Sequence, residues 1–147
     1  MPRYSTDTSR VSVDHLSGFF VGWPSPPSAH VLHEVLSSTP YTVVAWSGSE
    51  VIGFAYAVSD GVLAAYIPLV EVRTDRQGEG VGTELVRRLL SLLADVYMVD
   101  VVCDDAVAPF YERLGLSRVT GMAWRNRGAS VFNAPCGARH AAPRRAR

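Results

Sequence analysis

Apolar residues recur along the chain in two rhythms, and each change of rhythm marks a change of element. Val13, Leu16, Phe19 and Phe20 fall at helical spacing behind Ser12 and Asp14, which predicts a first helix starting at Ser12. Gly22, Pro24, Pro26 and Pro27 break it. Val31, Leu32, Val35 and Leu36 repeat the helical period behind Ser28, a capping residue, and Pro40 ends this second helix. The rhythm then shortens. Tyr41 to Trp46 is β-branched and aromatic, Ser47-Gly48-Ser49 is a turn, and Val51 to Val58 predicts another strand. Asp60-Gly61 is a hairpin signal, and a third strand runs from Val62 to Arg73. Pro68 interrupts that strand. Proline cannot donate to a ladder, so it predicts a bulge or a point where the sheet opens. These strands read as an antiparallel meander.

Beyond Arg73 the helical rhythm returns. Val81, Leu85, Leu89, Leu92, Leu93 and Val96 share one face, with Glu84 and Arg88 as an i,i+4 pair on the other. A buried strand is expected from Tyr97 to Val102. A short helix from Ala106 to Leu114 follows, stopped by Gly115, and a weaker strand lies within Val119 to Arg127. The strand-helix-strand unit predicts a right-handed parallel crossover. The fold class is α/β, with a mixed, mainly antiparallel central sheet, one bulged strand and one parallel crossover. Residues 1 to 9 are polar and expected to fray.

Composition narrows the picture. The 147 residues, 48% hydrophobic and 19% charged, describe a globular chain and not a disordered one. One domain is expected over residues 1–133, and the Gly, Ala, Pro and Arg mixture of 134–147 predicts a disordered, Arg-rich tail. No apolar run reaches a membrane span and the first residues show no secretory pattern, so the expectation is a cytoplasmic chain without a membrane partner. All fourteen basic residues are arginine. Four of them, Arg139, Arg144, Arg145 and Arg147, sit in the last nine positions; the other ten meet fourteen acidic residues, a net of −4. A nucleic-acid reader would carry the opposite sign on its folded body. Cys103 and Cys136 match no metal-ligand spacing and are expected as free thiols.

Chemistry concentrates in Arg76-Gln77-Gly78-Glu79-Gly80-Val81-Gly82-Thr83, between a strand end and the long helix. Three glycines in five positions permit a tight turn that exposes N–H groups at the positive end of the helix, an arrangement suited to a phosphate or pyrophosphate. It is not a Walker loop, since no Lys-Ser or Lys-Thr follows, and the G-x-G-x-G spacing is a poor dinucleotide fingerprint.

Gln77 to Gly82 reads Q-x-x-G-x-G, preceded by Val70-Glu71-Val72 and Asp75. Ala108-Pro109-Phe110-Tyr111-Glu112-Arg113-Leu114-Gly115-Leu116 supplies a second block, one helix and one strand later. Together they resemble the acetyl-CoA-binding motif and the late helix of the GNAT superfamily of N-acetyltransferases, over about Val11 to Arg127. The resemblance implies the GNAT fold and acetyl transfer from acetyl-CoA to a primary amine by direct attack, with no metal. It implies that Gln77, Gly78, Glu79, Gly80, Val81, Gly82 and Thr83 hold the cofactor through main-chain N–H groups. Arg76 adds a charge contact, or is a solvated surface arginine. The main chain of Val70, Glu71 and Val72 faces the acetyl group and pantetheine arm, with Phe110 packing against the sheet or the arm.

Tyr111 matches the family's general acid, a phenol of pKa about 10, or is a core tyrosine that packs the late helix with its hydroxyl at the surface. Many relatives carry a carboxylate near the positions of Pro68 and Leu69; this chain has none there, which leaves Glu71 as the base within the strand, a paired surface carboxylate, or a bystander to a water chain. Asp104 and Asp105 are expected to cap the next helix, and His15, His30 and His33 to lie at the surface. Phe19, Phe20, Trp23 and Tyr41 are core residues or an apolar acceptor pocket. A small amine is the expected acceptor. A protein lysine or N-terminal amine, a non-catalytic acyl-CoA-binding module, and a homodimer all stay open.

Overall fold

The computed structural model describes residues 1–126. Five strands form one sheet in the order β1-β2-β3-β4-β5. They are β1 (Arg3–Ser5), β2 (Tyr41–Ser47), β3 (Glu50–Ser59), β4 (Ala64–Val72) and β5 (Met98–Val101), with helices α1 (Ala29–Ser38), α2 (Val81–Leu92) and α3 (Ala108–Glu112). The first four strands are antiparallel neighbours, and β4 pairs with β5 in parallel across the α2 crossover.

Two apolar layers sandwich the sheet. Leu16, Phe19, Phe20, Leu32 and Leu36 pack with Val44, Trp46, Phe54 and Tyr56 on one face. Val81, Leu85, Leu89 and Leu93 pack with Val43, Ala45, Ile52, Ala55, Ala57 and Ile67 on the other. The alanines let α2 approach closely. Gly53 lets it closer still: a Cβ there would stand 2.9 Å from the Glu71 carbonyl oxygen, 3.1 Å from Leu85 and 3.3 Å from Val81.

The β3–β4 register skips a residue. Tyr56 pairs with Leu69 and Val58 with Tyr66, so Ile67 and Pro68 together oppose Ala57. The parallel ladder to β5 ends at the same place, at Ile67 and Val101. Beyond Pro68, β4 keeps only β3 as a neighbour.

Several expected boundaries shift. The first helix is a single 3₁₀ turn over Val13–Leu16, because Gly18 takes a left-handed φ of 82° and turns the chain before Phe19 and Phe20. Residues 3–5 do not fray: they form β1, paired with Val44 to Trp46, and Arg88 stacks 4.8 Å over the Tyr4 ring. The strand expected as buried over Tyr97 to Val102 is Met98–Val101 and half-exposed, since its outer edge has no strand partner among the described residues. The late helix spans Ala108–Glu112 only. No strand forms in 119–126: the segment lines a cavity beside β5 without pairing to it, and Val119, Met122 and Trp124 stay exposed with no ladder partner. Arg127, the 134–147 tail and Cys136 lie outside the described residues. Ser28 caps α1 through its Oγ and the Val31 N–H at 3.2 Å, and Arg88 pairs with Glu84 at 2.7 Å, as expected.

Gly53→Ala forces a methyl group against backbone that has little room to move. It should destabilise the protein by roughly 1–3 kcal/mol, read as a lower denaturant midpoint at unchanged slope.

Candidate active site

The split between β4 and β5 opens a cleft of about 670 Å³. Its lining comes from five places, one of them the segment of residues 18–23. β4 supplies Val70, Glu71 and Val72; the following loop supplies Thr74, Arg76, Gln77, Gly78 and Gly80; the first turn of α2 supplies Val81, Gly82 and Thr83; and α3 supplies Phe110 and Tyr111, with Val107 just before it. Of the residues expected at the cofactor site, only Glu79 does not line the cleft. It forms an ion pair with Arg76 at 3.2 Å instead. Arg76 is therefore neither free nor simply solvated; an arriving phosphate would share it with Glu79.

The loop has the geometry its glycines predict. Gly78 and Gly80 both take φ of 82°, with open space around them, so they serve the turn and not a close approach. Gly80 is the N-cap of α2, and the first helical bond runs from the Glu84 N–H to the Gly80 carbonyl at 3.1 Å. The N–H groups of Val81, Gly82 and Thr83 precede that bond and point out of the helix end. Gly82 serves space: a Cβ would meet Val72 at 3.5 Å and the Phe110 ring at 3.8 Å, filling the cleft floor. Gln77 turns its side chain inward, and its Nε2 donates to the Val72 carbonyl at 3.1 Å. Arg73 anchors the other side, donating to Asp75 at 3.1 and 3.2 Å and lying 3.6 Å from Glu50.

Glu71 pairs with Phe54 across the ladder, on the aromatic face of the sheet. Burial raises its carboxyl to about 7. Tyr111 is buried and set edge-on to Phe110, ring centroids 4.9 Å apart. Burial pushes its phenol up to about 12, with Cys103, Glu71 and Tyr66 adding to the rise. Glu71 and Tyr111 thus share one electrostatic neighbourhood. The ordinary phenol value of about 10 does not apply here, because the ring is desolvated.

The other titratable candidates stand elsewhere. Asp104 holds α3 through its main-chain carbonyl, which accepts from Val107 at 2.9 Å and Ala108 at 3.1 Å, and no side chain caps that helix. Asp105 pairs with Arg118 at 3.3 Å. His15 accepts from the Ser12 N–H through Nδ1 at 3.0 Å, and His33 is half-buried, its Nε2 2.9 Å from the Val11 carbonyl oxygen. Cys103 is an exposed free thiol. Phe19, Phe20 and Trp23 do line the cleft, together with Gly18 and Val21, while Tyr41 lies on the α2 side of the sheet. Gly18, Val21, Thr74 and Val107 escaped the sequence reading. Gly18 and Gly22 bracketing an aromatic run was the one signal for that loop. No helix among the described residues is long and apolar enough to cross a membrane.

Comparison with known proteins places this geometry. The acetyltransferase (GNAT) family model matches residues 9–116. GCN5-related N-acetyltransferase 2, chloroplastic, of Arabidopsis thaliana is 30% identical over 129 residues, covering 71% of this chain and 50% of that protein. Histone acetyltransferase TAP1 of Glycine max is 30% identical over 120 residues, covering 71% and 52%. The chain spans about half the length of these curated relatives. The crystal structure of a candidate acetyltransferase from Deinococcus radiodurans R1 superposes with a TM-score of 0.85 at 44% identity, over 91% of this chain and 94% of that one. A GNAT family protein from Streptococcus pneumoniae TIGR4 shares the fold at 23% identity and a TM-score of 0.68, covering 86% and 98%.

The raised carboxyl of Glu71 has a consequence for stability. The folded state holds a proton that the unfolded state releases near the usual 4.5, so Glu71 contributes stability below that value and loses it as pH rises to about 7. Glu71→Gln removes this dependence. Relative to wild type it should gain stability between pH 5 and pH 8, by an amount on the order of 1 kcal/mol because solvent still screens the half-buried group. Melting temperatures of both proteins at the two pH values check it; a constant difference would show that Glu71 does not titrate in this range.

Proposed function

The chain belongs to the GNAT family of acetyltransferases, and from that premise we propose that it transfers an acetyl group from acetyl-CoA to a primary amine, a small molecule rather than a protein. One observation carries the reading. The unpaired edge of β4 and the N-terminus of α2 open into a single cleft that also contains Glu71 and Tyr111.

The residues present fit acetyl-CoA. The N–H groups from Gly78 to Thr83 suit its pyrophosphate, the floor that a Cβ at Gly82 would fill suits a narrow chain, and the edge of Val70 to Val72 suits an amide-bearing arm. When bound, it supplies an acetyl group activated as a thioester. The chain's own residues manage protons. Glu71, ionised above about pH 7, takes the proton that the attacking nitrogen gives up as its bond to the acetyl carbon forms. Main-chain N–H groups on the β4 edge face the carbonyl oxygen, where negative charge develops. Tyr111 donates a hydrogen bond to sulfur as the carbon–sulfur bond breaks. With its phenol near 12 it stays protonated throughout the working range, so it is always available as a donor. Complete transfer to a thiolate of conjugate-acid pKa about 8.5 is uphill, and the hydrogen bond as charge develops is the main contribution.

Release of free thiol from acetyl-CoA, measured with and without amines, tests the activity. Tyr111→Phe keeps the ring and removes the donor; kcat should fall about 10²-fold with little change in the KM for acetyl-CoA. Once the acceptor's own protonation is divided out, the kcat/KM profile of the wild type should rise with pH through about 7 and that of Glu71→Gln should be flat there.

Gly82→Val places branched carbon between Val72 and Phe110 and should weaken acetyl-CoA binding at least about tenfold by isothermal titration. Unchanged affinity would move the cofactor out of this cleft.

A further inference from the structure

One wall of the cleft is left unexplained by cofactor binding. It is the segment from Gly18 to Trp23, which contributes Phe19, Phe20, Val21 and Trp23. Here Phe20 takes a φ of 61°, the one non-glycine residue at positive φ among those described. A bulky side chain in that region is a steric outlier, kept only where the surroundings fix it, and such outliers gather at ligand clamps. Gly18 at 82° and Gly22 at 86° turn the chain on either side.

The strained turn buries the Phe20 ring. It sits edge-on to Trp23 at 5.1 Å and tilted against Phe54 at 6.3 Å, while Phe19 sits edge-on to Phe54 at 5.1 Å. Phe54 is the cross-strand partner of Glu71. Phe19 and Phe20 therefore line the cleft, backed by the buried Phe54 ring whose cross-strand partner is Glu71. Trp23 continues the aromatic surface, but it is 49% exposed and still has area to offer.

Charge limits what can settle there. Among the described residues, Glu71 and Arg76 are the only Asp, Glu, Lys, Arg or His side chains lining the cleft. Arg76 lies in the glycine loop and is paired with Glu79. On the aromatic side Glu71 stands alone. Among the described residues, an acceptor with its own carboxylate or phosphate would find no cation on this side to pair with, and a polyamine would find no second acid. Either would lose hydration without compensation.

Building on the acetyl-transfer reading above, we propose that the Gly18–Trp23 loop is the acceptor subsite and selects a monoamine carrying an aromatic body on a short arm. The ring packs against Trp23, and the nitrogen reaches Glu71. The nitrogen adds to the thioester carbonyl carbon and gives its proton to Glu71; the C–S bond then breaks and CoA leaves as the thiolate, hydrogen-bonded by Tyr111.

The test measures kcat/KM by thiol release with the full chain and acetyl-CoA. The acceptors are 2-phenylethylamine, ethylamine, β-alanine, spermidine and a lysine-containing peptide. Phenylethylamine should exceed every other acceptor, and ethylamine by about tenfold. Trp23→Ala should reduce the phenylethylamine-to-ethylamine ratio about tenfold, and Trp23→Phe should retain most of it. Because each ratio is taken within one protein sample, a partly unfolded variant does not distort it. Equal or better use of β-alanine, spermidine, ethylamine or the peptide would overturn the acceptor assignment and leave acetyl transfer standing. So would a ratio that Trp23→Ala leaves unchanged. A protein that binds acetyl-CoA by titration yet releases no thiol with any of these amines would overturn both.

Discussion

The parting of β4 from β5 at Pro68 is the constraint on which the rest depends. A parallel ladder needs N–H donors on both strands, and Pro68 has none. The ladder to β5 stops at Ile67, and the bulge against Ala57 changes the course of the strand at the same point. What remains of β4 is held by β3 on one side only. Its other edge keeps main-chain donors and acceptors in the interior of a cleft, where hydrogen bonds meet little competition from water. α2 and α3 then wall the opening, and each needs a specific allowance to do so. Gly53 lets α2 seat on the sheet, and Gly82 keeps its first turn from filling the space beneath Phe110.

On the proposed reading, the half-buried Glu71 and the buried Tyr111 divide the proton work within this opening. Burial moves both the same way, towards the neutral form, yet it brings them to different places. The carboxyl of Glu71 arrives near neutrality, where small changes in its surroundings change its charge. The phenol of Tyr111 moves beyond the reach of ordinary pH. On that reading, one environment yields a group that exchanges its proton and a group that only lends it, the separation of roles that acid–base sites require.

Much of this was legible in the sequence, for identifiable reasons. The glycine loop, the long amphipathic helix, the meander and the interrupting proline are local signals, and each survives in the structure. The pairing of Phe110 and Tyr111 with the distant loop rested on resemblance, since spacing alone does not bring α3 to β4. The misses are tertiary. β1 is three polar residues whose structure comes from the edge of β2 and from Arg88 over Tyr4. The first helix was overextended because Phe19 and Phe20 keep helical spacing while Gly18 turns the backbone out of register. The pKa shifts of Glu71 and Tyr111 arise from burial, which no motif displays.

The hydrogen bond from Gln77 to the Val72 carbonyl ties the glycine loop directly to the open strand edge. Just before the loop, the Arg73 N–H donates to the Ile52 carbonyl of β3 at 2.9 Å and continues the β3–β4 pairing past Val72. These two bonds link the loop to β4 and the end of β4 to β3. On the proposed reading the cleft acts as a ruler. A phosphate seated at the helix end presents a thioester to Glu71 and Tyr111 only if the arm between has the right length. Its second end then meets the site at high effective concentration, while a shortened arm loses that advantage however good its individual contacts.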